Sequence, residues 1–160
     1  MNPGRRAPFE VIEHPADVGF RAYGRSLEEL FANAALAMMS LGCELAEVKE
    51  REHREITAAG ADLEALLYSW LAEILAVADA EQLMFRRAEV TQLSPPEKVQ
   101  ARKGGASAGT TAGCVRGIVH GEKFDKARHH AGTYIKAVTY HQLRVERTPE
   151  GWRAQVYLDV

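Results

Sequence analysis

Two acidic residues, one near each end of the chain, are the first candidates for chemistry. Asp17 lies in a predicted turn, and Asp159 is the penultimate residue, at the end of a well-patterned strand. The terminal carboxylate of Val160 lies one residue further on. Grouped carboxylates supply the hard oxygen ligands that magnesium, calcium and manganese prefer. The sequence therefore contains a candidate site for a divalent metal ion, built from Asp17, Asp159 and Val160.

A simpler interpretation exists for the same two aspartates. Asp17 would cap its own turn through an Asx hydrogen bond, and Asp159 would be a solvated residue at a sheet edge. Because isolated acidic residues are usually solvated, residue type and position alone favour this simpler interpretation.

The histidines do not form a recognisable zinc motif. His129 and His130 are adjacent, so their side chains are expected to point apart, and His14, His120 and His141 lie on different predicted elements. Structural zinc sites need ligand spacings that this chain lacks. His141 falls on the apolar face of its predicted strand, where a hydrogen-bonded core histidine is more common than a metal ligand.

Lys136 alternates onto the same strand face as Tyr134 and Tyr140. It is either an exposed lysine or one that reaches toward the carboxylates and sets their charge balance. The chain has no nucleophile elbow, phosphate-binding loop or dinucleotide motif. Cys43 lies at the C-terminal end of a predicted helix, where the helix dipole raises a thiol pKa. These features predict that the protein is not an enzyme.

Hydrophobic periodicity predicts the elements that position these residues. Ser26 and Glu29 form a capping box before an apolar stripe over residues 27–41, and Gly42 is a suitable stop. Asp62 caps a second apolar stripe over residues 63–78. Two long strands alternate over residues 133–147 and 152–160. Two helices with about seven strands predict an α+β sandwich, in which both helices pack on one side of a mostly antiparallel sheet.

Length and composition restrict the class of protein. The 160 residues suit one domain, with a flexible hairpin insertion, rich in small residues, at about residues 94–113. A net charge of −2 argues against strong binding of the whole molecule to a phosphate backbone. No membrane-length apolar run or signal peptide is evident, and Cys43 and Cys114 show no disulfide framework. A cytoplasmic protein without membrane association is expected.

Several segments in order resemble the archease family. The match runs from about residue 11 to residue 160, and residues 94–113 have no clear counterpart in it. Each motif is weak alone, whereas their joint order is specific. The segments are residues 14–20 (HPADVGF), 26–35 (SLEELFANAA), 66–75 (LLYSWLAEIL), 121–122 (GE), 135–141 (IKAVTYH) and 158–160 (LDV).

The resemblance implies a strand–helix–strand–strand type of α+β fold and a partner. Proteins of this family assist the RtcB-type RNA-splicing ligase, which uses GTP and manganese to join RNA 3′-phosphate or 2′,3′-cyclic phosphate ends to 5′-hydroxyl ends. Archease-like proteins promote guanylylation of that ligase and allow multiple turnover in tRNA splicing and RNA repair. RNA would then be reached indirectly, through the ligase.

The resemblance also implies roles for individual residues. In the family, the signature aspartate and the penultimate aspartate help to hold a metal ion such as calcium, and here these are Asp17 and Asp159. Lys136, His14 and His141 lie in matching motifs and are expected to contribute to ligase activation. Residue 15 departs from the family pattern, since proline replaces threonine.

Two other functions remain open at this point. One is a chaperone-like modulator of other RNA-processing enzymes, such as a tRNA methyltransferase. The other is a metal-dependent hydrolase that acts alone.

Overall fold

The computed structural model describes residues 7–13, 17–99 and 109–160. Within them, two α-helices and nine strands form an α+β fold, which confirms the predicted class, and one 3₁₀ turn spans Leu45–Glu47. The helices are α1 (Leu27–Gly42) and α2 (Leu63–Glu81). The strands are β1 (Phe9–Glu13), β2 (Val18–Gly24), β3 (Glu52–Gly60), β4 (Leu83–Ser94), β5 (Glu97–Val99), β6 (Gly109–Thr111), β7 (Gly113–Lys123), β8 (Ala137–Thr148) and β9 (Gly151–Asp159).

Both helices begin at the residues that the sequence predicts. The Glu29 N–H donates to Ser26 Oγ at 3.1 Å, and the Ala65 N–H donates to Asp62 Oδ1 at 2.7 Å. Each bond satisfies one of the backbone donors that a helix start leaves unpaired. Helix α1 runs to Gly42, the predicted stop. The helix boundaries are therefore largely set by local sequence.

The strands divide into two main sheets, where a single sheet was expected. Their orders are β1-β2-β9-β8 and β3-β7-β4, and β5 pairs with β6 separately. All of these strand pairs are antiparallel. Helix α1 packs on β2 and β4, and α2 packs on β3, β7 and β8, so each helix contacts both sheets. The apolar stripes of the helices are wide enough to be buried by two sheets at once.

One hydrophobic core is shared by the helices and both sheets. At its centre Trp70 is fully buried, and its indole Nε1 donates to the Phe31 carbonyl at 3.1 Å. Gly117 of β7 lies directly against this ring. A Cβ added at Gly117 would lie 2.6 Å from Trp70 Cη2, which is too close for a side chain. Other large, fully buried side chains are Phe20, Leu30, Ile56, Leu66, Leu67, Leu71, Ile74 and Leu158.

A bulge interrupts β8. The register moves from Thr139 opposite Tyr157 to Arg144 opposite Gln155, and Gln142 takes a left-handed backbone conformation with φ 53°. The predicted regular alternation through residues 133–147 is therefore wrong, because a bulge changes which side chains face the core. Val138 and Val145 are both buried although they fall on opposite faces of a regular strand.

The predicted insertion is described only in part. Strands β5 and β6 pair antiparallel, from Glu97 with Thr111 to Val99 with Gly109. Residues 100–108 lie outside the described residues, so the flexible tip stays a prediction. No helix in the described ranges is long and apolar enough to cross a membrane.

Candidate functional site

The register of β2 and β9 places Asp17 and Asp159 at the same end of two neighbouring strands. Val18 pairs with Leu158 in antiparallel orientation, Asp17 directly precedes Val18, and Asp159 directly follows Leu158. Phe20 and Leu158 are buried in the core, so strand alternation directs both aspartates to the opposite side of the sheet, which we call the outer face. Asp159 is exposed and Asp17 is half-buried.

An aromatic ring supports this end of the sheet. Tyr157 pairs with Gly19, and a Cβ on Gly19 would lie 2.7 Å from Tyr157 Cδ1. A glycine allows the ring to lie this close to the backbone of β2. The Thr139 hydroxyl donates to the Tyr157 carbonyl at 3.2 Å, which ties β8 to the same point. Sequence reasoning missed Tyr157 as a site residue, although its alternation with Asp159 along β9 is visible in the sequence.

Lys136 and His141 both lie near this acidic end. The Lys136 N–H donates to the Asp159 carbonyl at 2.8 Å, and Lys136 is exposed. The ring centroid of His141 lies 5.9 Å from that of Tyr157, and His141 is exposed. The expectation of a core histidine at position 141 is therefore wrong. The bulge in β8 is the physical reason, because His141 lies within it and no longer follows the alternation of the strand.

The remaining predicted site residues are His14 and Val160. His14 lies outside the described residues. Val160 is half-buried and directly follows β9. Across residues 7–13, 17–99 and 109–160, no group of three or more His, Cys, Asp and Glu side chains is arranged to hold a metal ion.

The donor chemistry of the two aspartates nevertheless fits one class of cation. Asp17 and Asp159 supply oxygen atoms, which suit calcium, magnesium or manganese better than zinc. Two side chains do not complete the coordination sphere of such an ion. The terminal carboxylate, water, backbone carbonyls or groups of a partner would have to supply the other ligands.

A second polar cluster surrounds Glu122 at the end of β7. Glu122 is only 4% exposed, and it accepts hydrogen bonds from Arg128 Nη2 and from the Lys49 N–H, the latter at 2.6 Å. The Arg128 hydrogen bond is the largest cause that lowers the pKa of Glu122, to about 2. The sequence marks Glu122 only as part of a Gly-Glu pair, and nothing in that pair indicates burial.

His129 completes this cluster in one tautomer. The Asp125 N–H donates to His129 Nδ1 at 2.8 Å, so Nδ1 is the unprotonated ring nitrogen and Nε2 carries the hydrogen. Nε2 then donates to Glu122 Oε2 at 3.1 Å. The neighbouring His130 is exposed and bonds Glu47 instead. The two adjacent histidines therefore point apart, as predicted, and His129 anchors the loop that follows β7.

The thiol of Cys43 is unsuited to nucleophilic chemistry. Cys43 is 8% exposed, and its Sγ lies 3.5 Å from the Met39 carbonyl. Burial is the largest cause that raises its pKa to about 11, followed by the charges of Glu44 and Glu47. The predicted direction of the shift is confirmed, but burial is its main cause.

The fold and the site together define a small α+β protein with an acidic end on the outer face of one sheet. Comparison with known proteins shows the family to which this α+β protein belongs. Residues 9–160 match the family described as the Archease protein family (MTH1598/TM1083). Protein archease of Methanosarcina mazei is 36% identical over 158 residues, which is 99% of each chain. Protein archease of Pyrococcus abyssi is 37% identical over 153 residues, which is 95% of this chain and 98% of that protein.

Solved structures agree with these sequence relatives. The solution structure of Methanobacterium thermoautotrophicum protein 1598 has a TM-score of 0.72 and 31% identity, and covers 96% of this chain and 99% of that one. The crystal structure of a Thermotoga maritima protein, described as an archease and possible chaperone, has a TM-score of 0.55 at 21% identity, with 98% of each chain covered. The chain belongs to the archease family.

Proposed function

We propose that this chain is a non-catalytic accessory protein of an RtcB-type RNA-splicing ligase in the cytoplasm. Its acidic end, Asp17 with Asp159, would act at the ligase active site and promote guanylylation and multiple turnover. One observation carries the proposal, namely that the antiparallel register of β2 and β9 brings the two aspartates to the same strand end. Family membership makes the proposal specific, because this pair matches the two aspartates that the family resemblance implies.

The surroundings of the two aspartates support a docking role. Asp159 is exposed, and its backbone is held on both sides, by pairing of Leu158 with Val18 and by the hydrogen bond from Lys136. A carboxylate on such a fixed strand end can meet a partner without large rearrangement. When bound, a divalent cation would supply positive charge that joins these carboxylates to phosphate oxygens. Asp17 and Asp159 would hold the cation, and Lys136 would set the local charge balance.

An accessory role also agrees with what the described side chains offer chemically. The buried Cys43 thiol has a raised pKa, which is the opposite of an activated nucleophile. The buried Glu122 is fully engaged by Arg128, His129 and the Lys49 N–H. We therefore place the chemistry of RNA joining on the ligase.

Multiple-turnover ligation tests the proposal. The cognate ligase, at a concentration far below that of RNA with 3′-phosphate and 5′-hydroxyl ends, is assayed with GTP and manganese, with and without this chain. We expect wild-type protein to raise the number of turnovers, and Asp17→Asn and Asp159→Asn each to lose most of that gain. Glu150→Gln, an exposed change in the turn before β9, is the matched control and should behave as wild type. Unchanged turnover with both aspartates replaced would overturn the proposal.

A further inference from the structure

The centre of the outer face carries three arginines from three different strands. Arg21 of β2, Arg153 of β9 and Arg144 of β8 surround a depression of about 250 Å³, which Tyr23, Glu146 and Gln155 also line. The three arginine side chains are 43%, 43% and 69% exposed, respectively. Their alignment follows from the register, since Arg21 and Arg144 both pair with Gln155 of β9.

Carboxylates do not cancel the charge of this group, which we call the arginine face. Glu146 binds Arg153 at 2.7 Å and lies 3.7 Å from Arg144, and Glu10 lies 3.3 Å from Arg21. Three guanidinium groups thus meet two carboxylates among the described residues. Each guanidinium has five N–H donors, and the contacts that Arg144 and Arg153 make to Glu146 engage few of them.

The chemistry of the arginine face fits a phosphate group better than a protein surface. Planar guanidinium forks match phosphate oxygens, and an adjacent aromatic ring such as Tyr23 is typical of surfaces that bind single-stranded nucleic acid. Protein interfaces also use arginine and tyrosine, but around a core that is more apolar than the rest of the surface. The large hydrophobic side chains that are exposed in the described ranges, Val11, Phe124, Tyr134 and Tyr140, do not line this depression.

We propose that the arginine face binds a phosphate group of single-stranded RNA directly. The inference does not require the ligase, because it concerns a surface of this chain alone. The whole-molecule charge of −2 disfavours phosphate binding in general, so the proposal is confined to this local surface. At physiological salt, charges more than about 8 Å away are largely screened, so the local excess of arginine decides the interaction.

Along β9, the arginine face and the acidic end lie on one surface. Asp159 lies four positions after Gln155, which corresponds to about 13 Å along a strand. RNA held by the arginines would therefore lie beside Asp159 on the outer face. This chain would then contact RNA itself, beyond any contact made through a partner.

Fluorescence anisotropy with a labelled single-stranded RNA oligonucleotide tests this proposal, using the full chain without ligase or metal at a series of salt concentrations up to the physiological one. We expect Arg144→Gln to weaken binding about tenfold, because it removes charge-assisted hydrogen bonds to phosphate. The slope of log affinity against log salt should fall by about 0.7.

Glu146→Gln should tighten binding, since it releases Arg144 and Arg153 from their carboxylate. A purely structural role for Glu146 would not produce tighter binding.

Arg116→Gln is the matched control. Arg116 is 57% exposed and lies on the other sheet, where it forms a long ion pair of 3.7 Å with Glu55. Equal loss of binding in Arg116→Gln and Arg144→Gln, or no binding by wild type, would overturn the proposal. Competition by polyglutamate as strong as that by RNA of equal charge would also overturn it, in favour of an acidic protein. A last comparison distinguishes RNA from a free nucleotide as the source of the phosphate. Unlabelled RNA should displace the labelled RNA better than GTP does, and Arg144→Gln should weaken both competitors.

Discussion

Glu122 shows how one residue can be essential to a loop without taking part in chemistry. Its two oxygens accept hydrogen bonds from Arg128, His129 and the Lys49 N–H. The segment before β3 and the loop after β7 therefore meet at a single carboxylate. A buried carboxylate is tolerated only with such partners. The Gly-Glu motif of the sequence is thus explained by structure, and no catalytic role for Glu122 is needed.

Replacement of Glu122 should destabilise the protein. We expect Glu122→Gln to lower the free energy of unfolding by about 2 kcal/mol, because Arg128 loses its closest charged partner, a buried carboxylate. Urea unfolding followed by circular dichroism measures the change. Glu55→Gln, which removes one long, exposed ion pair to Arg116, is the control and should change stability by less than about 0.5 kcal/mol.

The same carboxylate predicts a dependence of stability on pH. The pKa of Glu122 is lowered from 4.5 to about 2 in the folded protein. The unfolded chain therefore takes up this proton first, and the stabilisation is complete above pH 4.5 and is lost as pH falls toward 2. The loss over this range should be smaller in Glu122→Gln than in wild type, and equal acid sensitivity would contradict the assignment.

At the same scale, the sequence named candidate site residues that the structure places close together, and it misplaced others. Asp17 and Asp159 could be named from type, position and family motif. His141 could not be placed, because the bulge in β8 has no clear mark in residues 139–144. The arginine face was also invisible, since Arg21 and Arg144 come together only through pairing with β9.

At the scale of elements, the sequence predicts where helices begin but does not predict which strands pair. Ser26 and Asp62 cap the helices through bonds to residues three positions away, so a short window contains the whole signal. The order β1-β2-β9-β8 joins the two ends of the chain, and no local pattern encodes that pairing. The division into two sheets was missed for the same reason.

Contact between β7 and α2 leads to a prediction at Gly117. A Cβ there would lie 2.3 Å from the Glu89 carbonyl oxygen and 2.6 Å from Trp70 Cη2. Gly117→Ala should therefore lower the free energy of unfolding by about 2–3 kcal/mol, as expected for overpacking. Gly42→Ala is the control, because a Cβ at the end of α1 would lie 3.9 Å from the Thr133 carbonyl oxygen, an ordinary van der Waals distance. Denaturant unfolding of both variants is the measurement, and equal stability would contradict the close packing.

At the scale of the whole molecule, the proposed cation site joins positions 17 and 159 through the fold. If both carboxylates hold one ion, their effects on ion binding cannot be additive. We expect calcium to raise the melting temperature of wild-type protein, because an ion that binds the folded state alone stabilises it. Asp17→Asn, Asp159→Asn and the double variant should all lose this rise to the same extent.

Differential scanning calorimetry with and without calcium measures these melting temperatures, and the experiment is repeated with manganese and magnesium. Glu150→Gln is again the control, and its calcium-dependent rise should equal that of wild type. Additive losses in the two single variants would show that the aspartates do not share an ion. A rise that persists in the double variant would place the ion elsewhere.

The bulge in β8 has a further consequence for self-association. Strands β8 and β4 are both at the edge of their sheets, and a free edge exposes backbone groups on which another copy of the chain could polymerise. Both strands contain breaks in register, between Thr139 and Arg144 in β8 and at two points in β4. Such breaks disrupt the even row of donors and acceptors that an incoming strand would need. The irregularity that turns His141 outward thus also makes the β8 edge a poor template for an incoming strand.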